Sequence, residues 1–144
     1  MYRRSIWLAV FLMLSASVLS CSGWGIGGRY VTFQQLLASP EKYNGQNVTL
    51  EGFYFHGWEV SCLSETLGPS GYAEGHLVPK GELVWVEGGI PREVYDGLNS
   101  QQMTGYIEHY GKVRVSGIFQ YGGRYGHVGG YSYQITPARV ELLQ

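Results

Sequence analysis

Two segments of the chain share one pattern, and this pattern constrains the fold more than any other feature. Segments 48–54 and 113–119 begin by alternating apolar and polar residues, and both have a glycine at the fifth position, Gly52 and Gly117. Alternation with a period of two is typical of a strand with one buried face. A glycine inside such a strand usually marks a bulge or a sharp bend. The pair therefore predicts two long, strongly coiled strands of the kind that small β-barrels need.

Composition indicates a folded domain and argues against one class of function. The chain has 144 residues, about the length of one domain. Its 44% hydrophobic content is too high for a disordered chain. The 22 glycines follow no collagen-like period and are expected at turns and bulges. Ten basic residues against 11 acidic ones give no positive excess, which argues against nucleic-acid binding.

The rest of the pattern adds three strands and two helices. Thr32 and Gln35 have the spacing of a capping box, which predicts a helix before the first strand. Pro91 suits the first position of a short helix over 91–98. Pro137 requires a bulge in the last strand. Further strands are predicted over segments 58–64, 83–86 and 131–143, and a loop over 67–80.

The predicted order of elements, β-β-β-α-β-β, resembles the OB-fold, a five-stranded Greek-key barrel. The chain also resembles the first part of bacterial OB-fold lipoproteins in one sequence motif. The motif consists of Leu36, Pro40, Tyr43, Gly45, Val48 and Gly52. The resemblance covers most of 31–143. It implies a mainly β fold: a small five-stranded OB-like barrel with an N-terminal helix before strand 1 and a short helix between strands 3 and 4. Because OB barrels serve many unrelated roles, it implies a fold rather than a function.

The first 20 residues have the pattern of a secretory signal peptide. Arg3 and Arg4 precede an uncharged apolar run, 6–19. As a helix this run would be about 21 Å long, shorter than a hydrocarbon core of about 30 Å. The residues Val18-Leu19-Ser20-Cys21 resemble the bacterial lipobox. That resemblance implies cleavage before Cys21, a diacylglycerol thioether on its sulfur and an N-linked acyl chain such as palmitate. An ordinary signal peptide and an uncleaved anchor helix are the alternatives.

This leader predicts three parts: a lipoprotein signal peptide over 1–20, a glycine-rich tether over 21–30 and an OB-like domain over 31–144. Several acyl chains attach a protein stably to a membrane. The expected location is the extracytoplasmic face of a bacterial cell membrane. With Cys21 lipidated, Cys62 has no intramolecular partner, and its apolar surroundings predict a buried thiol rather than a reactive nucleophile.

The glycine- and tyrosine-rich segment 121–131 is a candidate binding loop, because in an OB-like barrel it would lie beside the ligand groove. The first hairpin would complete that groove. Together they give these candidate binding residues: His56, Trp58, Tyr121, Arg124, Tyr125, His127 and Tyr131. Aromatic rings and arginine can stack on a planar or sugar-like ligand. Alternatively, the tyrosines cover the mouth of the barrel and Trp58 belongs to the core.

No catalytic motif or metal-ligand spacing is present in the sequence. The sequence therefore predicts a non-enzymatic module without a cofactor, attached to a membrane by lipid, that binds an unidentified protein or small molecule. The alternative is a metal-handling protein or an enzyme whose site combines His56, His109 and His127 with nearby glutamates.

Overall fold

The computed structural model describes residues 27–102 and 105–144. The predicted signal peptide, Cys21 and most of the predicted tether lie outside the described residues. Within the described part of the chain, no helix has both the length and the apolar character needed to span a membrane.

The described chain is mainly β, which confirms the predicted class. Its strands are β1 (Arg29–Val31), β2 (Asn47–Gly57), β3 (Val60–Ser64), β4 (Thr66–Pro69), β5 (Leu77–Lys80), β6 (Val84–Val86), β7 (Asn99–Gln102), β8 (Ile107–Tyr125) and β9 (Tyr131–Leu142). Helix α1 (Phe33–Ala38) follows β1, and helix α2 (Arg92–Tyr95) follows β6. Two short 3₁₀ turns lie at Pro40–Lys42 and His127–Gly129.

Seven of the strands form one sheet in the order β1-β2-β3-β6-β9-β8-β7, and β2 also pairs with β8. Strands β4 and β5 form a separate two-stranded sheet. The main sheet thus has seven strands, two more than the five-stranded OB-like barrel that the sequence predicts. The two additional strands, β1 and β7, are short and lack an apolar alternation, so the sequence pattern gives no sign of them. Part of the predicted tether, Arg29 and Tyr30, belongs to β1.

The two long strands each change partners along one edge. Strand β2 pairs with β1 over Val48–Leu50 and with β3 over Phe53–Gly57. Gly52 lies between these two regions, where a Cβ would come within 2.6 Å of the Phe33 ring and 2.7 Å of the Ser64 carbonyl oxygen. Glycine is therefore required at position 52, because the Phe33 ring and the Ser64 carbonyl oxygen lie too close for a side chain.

Strand β8 repeats this arrangement, pairing first with β7 and then with β9. The pairing of β8 with β9 shifts register between Ser116 and Gly117, opposite Pro137. A Cβ on Gly117 would overlap the Thr136 carbonyl group. The bulge predicted from Pro137 is confirmed.

The inner faces of β2 and β8 supply six of the 16 buried residues of the hydrophobic core, as their alternation predicts. The buried residues of these faces are Val48, Leu50, Tyr54, Val113, Val115 and Phe119. Helix α1 adds Phe33 and Leu36. Its capping box is present, because Gln35 N donates to Thr32 Oγ1 over 3.1 Å and Thr32 N donates to Gln35 Oε1 over 3.0 Å.

Two other local predictions differ from the structure. The predicted loop over 67–80 contains the β4–β5 hairpin. Its prolines are compatible with strands there, because each strand has a partner on one side only, as proline requires. Helix α2 covers only Arg92–Tyr95, with Pro91 at the position that precedes it.

Candidate ligand-binding cleft

The two segments predicted to form a binding groove meet at one point. They are the β2–β3 turn and the loop between β8 and β9. His127 Nε2 lies 3.0 Å from Glu59 Oε2. Both side chains are about half exposed, so this pair contributes little stability, about 0–1 kcal/mol. It marks the place where the two segments approach each other.

Backbone strain is concentrated at the same junction. Among the described residues, only Glu59, with a φ of 56°, and Val128, with a φ of 49°, are non-glycine residues at positive φ. A β-branched residue rarely adopts this region, and the cost is about 1–2 kcal/mol. Such strain persists only where the surrounding structure enforces it, and it clusters at functional sites. The junction is therefore a candidate location for a functional site.

Trp85 of β6 lies beneath the β8–β9 loop. Its indole packs against the ring of Tyr131, with 5.1 Å between the ring centroids. A Cβ on Gly126 would come within 2.7 Å of the same indole, so only a glycine fits there. Trp85 Nε1 also donates a hydrogen bond to Glu87 Oε2 over 2.8 Å. These contacts fix the orientation of the indole.

Trp85 also borders a cleft of about 400 Å³. Strands β2, β3 and β6, the turn that follows β6 and helix α2 each contribute to its lining, which includes Tyr54, His56, Ser61, Trp85, Gly88–Ile90 and Tyr95. Ligand pockets typically occupy about 300–1,000 Å³ and combine apolar walls with a few converging polar groups. This cleft, named here the His56 cleft, has both properties.

The floor of the His56 cleft carries a chain of hydroxyl groups. Ser61 Oγ donates to the carbonyl oxygen of Val86 over 3.2 Å, and the Tyr54 hydroxyl lies 3.0 Å from the same Oγ. Because the serine has one proton to donate, the tyrosine is the donor in the second bond. Burial raises the pKa of Tyr54 to about 12. Both hydroxyl oxygens keep lone pairs that can accept further hydrogen bonds.

The wall of the cleft carries a histidine beside a tyrosine. His56 Nδ1 lies 3.3 Å from the Tyr95 hydroxyl, and the two rings meet edge to face at 5.3 Å. His56 pairs with His109 across strands β2 and β8. Burial lowers the pKa of His56, and proximity to His109 lowers it further. The imidazole of His56 is therefore predominantly neutral at pH 7.

One of the seven predicted binding residues, His56, lines the cleft directly, and two others contribute to its surroundings. Tyr131 supports Trp85, and His127 joins the junction with Glu59. Trp58 is not part of the core: it is 62% exposed and packs on Tyr106, with 4.5 Å between the ring centroids. It lies in the β2–β3 turn rather than in a strand, which removes it from the buried alternation.

The remaining three predicted residues lie along the β8–β9 hairpin, outside the lining of the cleft. Tyr121 stacks on Tyr133 with 5.7 Å between the ring centroids. The side chains of Tyr125 and Arg124 lie close to Gly123 and Gly129, respectively. These side-chain contacts are therefore with other residues of the same hairpin.

Sequence reasoning missed most of the cleft. Tyr54 shares a strand face with His56, and that spacing of two residues is the one signal that could have found it. Trp85 lies in the apolar segment 83–86, whose pattern predicts a strand and does not distinguish a binding residue. Ser61 and Tyr95 have no distinguishing pattern, since they reach the cleft only through the fold.

The residues suggested for a metal site are separated into two pairs. His56 lies opposite His109, whereas His127 contacts Glu59. Across residues 27–102 and 105–144, no group of three or more histidine, cysteine, aspartate or glutamate side chains could hold a metal ion. Cys62 is buried, as predicted, and burial raises its pKa to about 12, which keeps the thiol protonated and unreactive.

A larger groove of about 610 Å³ lies beside helix α1 and is lined in part by Glu51, Glu65 and Lys112. Its polar groups are already engaged in part. Glu51 accepts two hydrogen bonds from Arg114, and Gln35 belongs to the capping box of α1. The His56 cleft is the stronger candidate because its hydroxyl and imidazole groups converge on one space.

No family model matches the chain, and neither a curated protein nor a solved structure matches it.

Proposed function

We propose that this protein is a lipid-anchored, non-catalytic binding module of the bacterial cell envelope, and that its ligand site is the His56 cleft. The observation that carries the proposal is the convergence of Tyr54, Ser61, His56 and Tyr95 on one cleft beside a fixed indole. A few directed polar groups on an aromatic wall are typical of small-molecule sites. The strained junction of Glu59 and Val128 adjoins this region and supports the same location.

Within the seven-stranded sheet, we propose an OB-like arrangement of five strands, β2, β3, β6, β8 and β9. Three observations support it. Each of these strands pairs with two others of the set, in the cycle β2-β3-β6-β9-β8-β2. The pairing of β6 with β9 is parallel, whereas the other pairings of the cycle are antiparallel. Helix α2 lies between the third and fourth of the five strands, as in a partly open Greek-key barrel.

The membrane anchor is proposed from the sequence. A charged start, an apolar run and Val18-Leu19-Ser20-Cys21 support lipidation of Cys21. Strand β1 begins at Arg29, a short distance along the chain, so an anchored domain would lie close to the membrane.

The anchor is tested by the intact mass of the full-length product, purified from the membrane fraction of a bacterial host. We expect the mass of Cys21–Gln144 plus diacylglycerol and acyl groups. Cys21→Ala should lose the lipid, whereas the matched variant Cys62→Ala should keep it. A mass that corresponds to simple cleavage, or to the uncleaved chain, would contradict the anchor.

The cleft is tested by nuclear magnetic resonance of the indole Nε1–H groups in the full-length protein. The Trp85 signal reports on the cleft, and the Trp58 signal is an internal control because that indole lies in the β2–β3 turn. The probes are a set of small aromatic and hydroxylated compounds. We expect at least one compound to shift the Trp85 signal saturably while the Trp58 signal stays unchanged. If none does so, the cleft is not a ligand site.

A further inference from the structure

The chemistry of the His56 cleft limits what it can bind. Of the described residues that line it, none carries a carboxylate, an ammonium or a guanidinium group. A ligand with a formal charge would find no partner of opposite charge among these lining residues, because the nearby Glu87 carboxylate lies outside the lining and accepts the hydrogen bond of Trp85 Nε1. Burying an unpaired charge is costly, so this cleft selects against phosphates, carboxylates and amines.

A purely apolar ligand fits the cleft no better. The partly exposed Tyr95 hydroxyl and His56 imidazole would lose contact with water, and the free lone pairs of the buried Tyr54 and Ser61 hydroxyls would gain no bonds. Each buried polar group left without a partner costs about 1–3 kcal/mol. The cleft therefore favours a ligand that offers several hydrogen-bonding groups without net charge.

The polar groups of the cleft suit hydroxyl groups in particular. Tyrosine and serine hydroxyls can both donate and accept, so they can adapt to the hydroxyls of a ligand. After Tyr54 has donated to Ser61 and Ser61 to Val86, the two oxygens remain available as acceptors. Beside them, Gly88 and Gly89 expose backbone without a side chain to cover it, and a Cβ on either would meet nothing within 4 Å.

The wall of the cleft supplies a flat apolar surface. The indole of Trp85 is held by Tyr131 on one side, and Ile90 lines the same cleft. A ring that has carbon–hydrogen bonds on its faces and hydroxyls at its edges matches both surfaces at once. At about 400 Å³, the space accommodates about one or two such rings.

We infer that the ligand of the His56 cleft is an uncharged sugar, either free or as a unit of a longer glycan. This inference rests on the proposed binding function and adds the chemical class of its ligand. Trp85 stacks on a face of the sugar ring. The hydroxyls of Tyr54, Ser61 and Tyr95 bond to the hydroxyls of the sugar.

The test is a titration of the full-length protein in a zwitterionic detergent, because a glucoside or maltoside detergent would itself present a sugar. The probes are glucose and N-acetylglucosamine, with glucosamine and glucuronate as charged counterparts. We expect the neutral sugars to shift the Trp85 indole signal saturably and to leave Trp58 unchanged. The charged counterparts should bind about tenfold more weakly. Equal binding of neutral and charged sugars would overturn the inference.

Variants of the protein test the assigned site, and sugar oligomers distinguish a glycan from a free sugar. Tyr95→Phe removes one hydroxyl from the cleft and should weaken binding of a neutral sugar about fivefold. Tyr72→Phe, at a residue that is 84% exposed, is the matched control and should change nothing. Tighter binding of an N-acetylglucosamine oligomer than of the monomer indicates a glycan, and equal binding indicates a free sugar. If Tyr95→Phe leaves binding unchanged, the assigned site is wrong.

Failure of the sugar inference is distinguishable from failure of the binding function. If an aromatic probe shifts the Trp85 signal and no neutral sugar does, the sugar inference is wrong and the binding cleft stands. If neither kind of probe shifts it, both are wrong.

Discussion

Two residues near the His56 cleft, Glu59 and Val128, adopt a backbone conformation that their residue types disfavour. Val128 occupies a backbone region that suits glycine, and its side chain is 82% exposed. Glu59 does the same in the facing turn. In contrast, Gly126 is present because a side chain would collide with Trp85. The junction thus combines a glycine that packing requires with two residues that the backbone disfavours. Such strain persists only where the surrounding structure enforces it.

Replacement of Val128 by glycine should stabilise the protein. Glycine adopts positive φ without a steric penalty, and the exposed valine side chain has little burial to lose. We expect Val128→Gly to raise the free energy of unfolding by about 1 kcal/mol in urea denaturation. Val128→Ala is the control, and it should gain less because alanine keeps a Cβ in the disfavoured region. Destabilisation by Val128→Gly would show that the valine side chain makes a contact worth more than the strain.

At the scale of elements, β2 and β8 organise the molecule, and their alternation allowed much of the core to be predicted. Both change partners along one edge, but their central glycines have different causes. Gly52 lies where β2 changes partner, whereas Gly117 lies at the register shift opposite Pro137. The strands that the sequence did not predict fall into two groups. Strands β1 and β7 have no apolar alternation because they lie at the ends of the sheet, and β4 and β5 contain prolines that usually indicate a loop. The cleft itself was beyond prediction, because its polar groups come from β2, β3 and α2 and converge only after folding.

Gly52 should not tolerate even one added methyl group. A Cβ there would come within 2.6 Å of the Phe33 ring and 2.7 Å of the Ser64 carbonyl oxygen. Forcing these groups apart should cost about 1–3 kcal/mol of unfolding free energy, as overpacking usually does. Gly57→Ala, in the same strand, is the control: its added Cβ has no neighbour closer than 3.5 Å, so stability should hardly change. Equal unfolding free energies for the two variants would disprove the close approach.

Considered as a whole, the molecule keeps two weakly acidic side chains, those of Tyr54 and Cys62, in its interior. Burial raises the pKa of Tyr54 from 10.0 to about 12 and that of Cys62 from 9.0 to about 12. Tyr131 and Tyr133 have pKa values raised for the same first reason. Each of these groups binds its proton more tightly in the folded state than in the unfolded chain. The free energy of unfolding therefore depends on pH in the alkaline range.

Stability should fall as pH rises from about 9 towards 12. Below the unfolded-state values of 9.0 for Cys62 and 10.0 for Tyr54, the stabilising contribution of these groups is fully present, and it is lost as pH approaches about 12. Urea denaturation at a series of pH values measures this loss. Cys62→Ala should reduce the part of the slope that begins near pH 9, whereas Tyr72→Phe, at an exposed residue, should leave the slope unchanged. A slope that is the same in all three proteins would show that Cys62 does not contribute.

The parallel pairing of β6 with β9 has a consequence for the order of events during biosynthesis. Strand β9 completes the edges of both β6 and β8, and it is made after both of them. A nascent chain that ends before Tyr131 has two open edges and cannot close its core, and open edges invite wrong pairing. For the exported lipoprotein that we propose, this late closure would keep the chain unfolded and competent for translocation until β9 has been made.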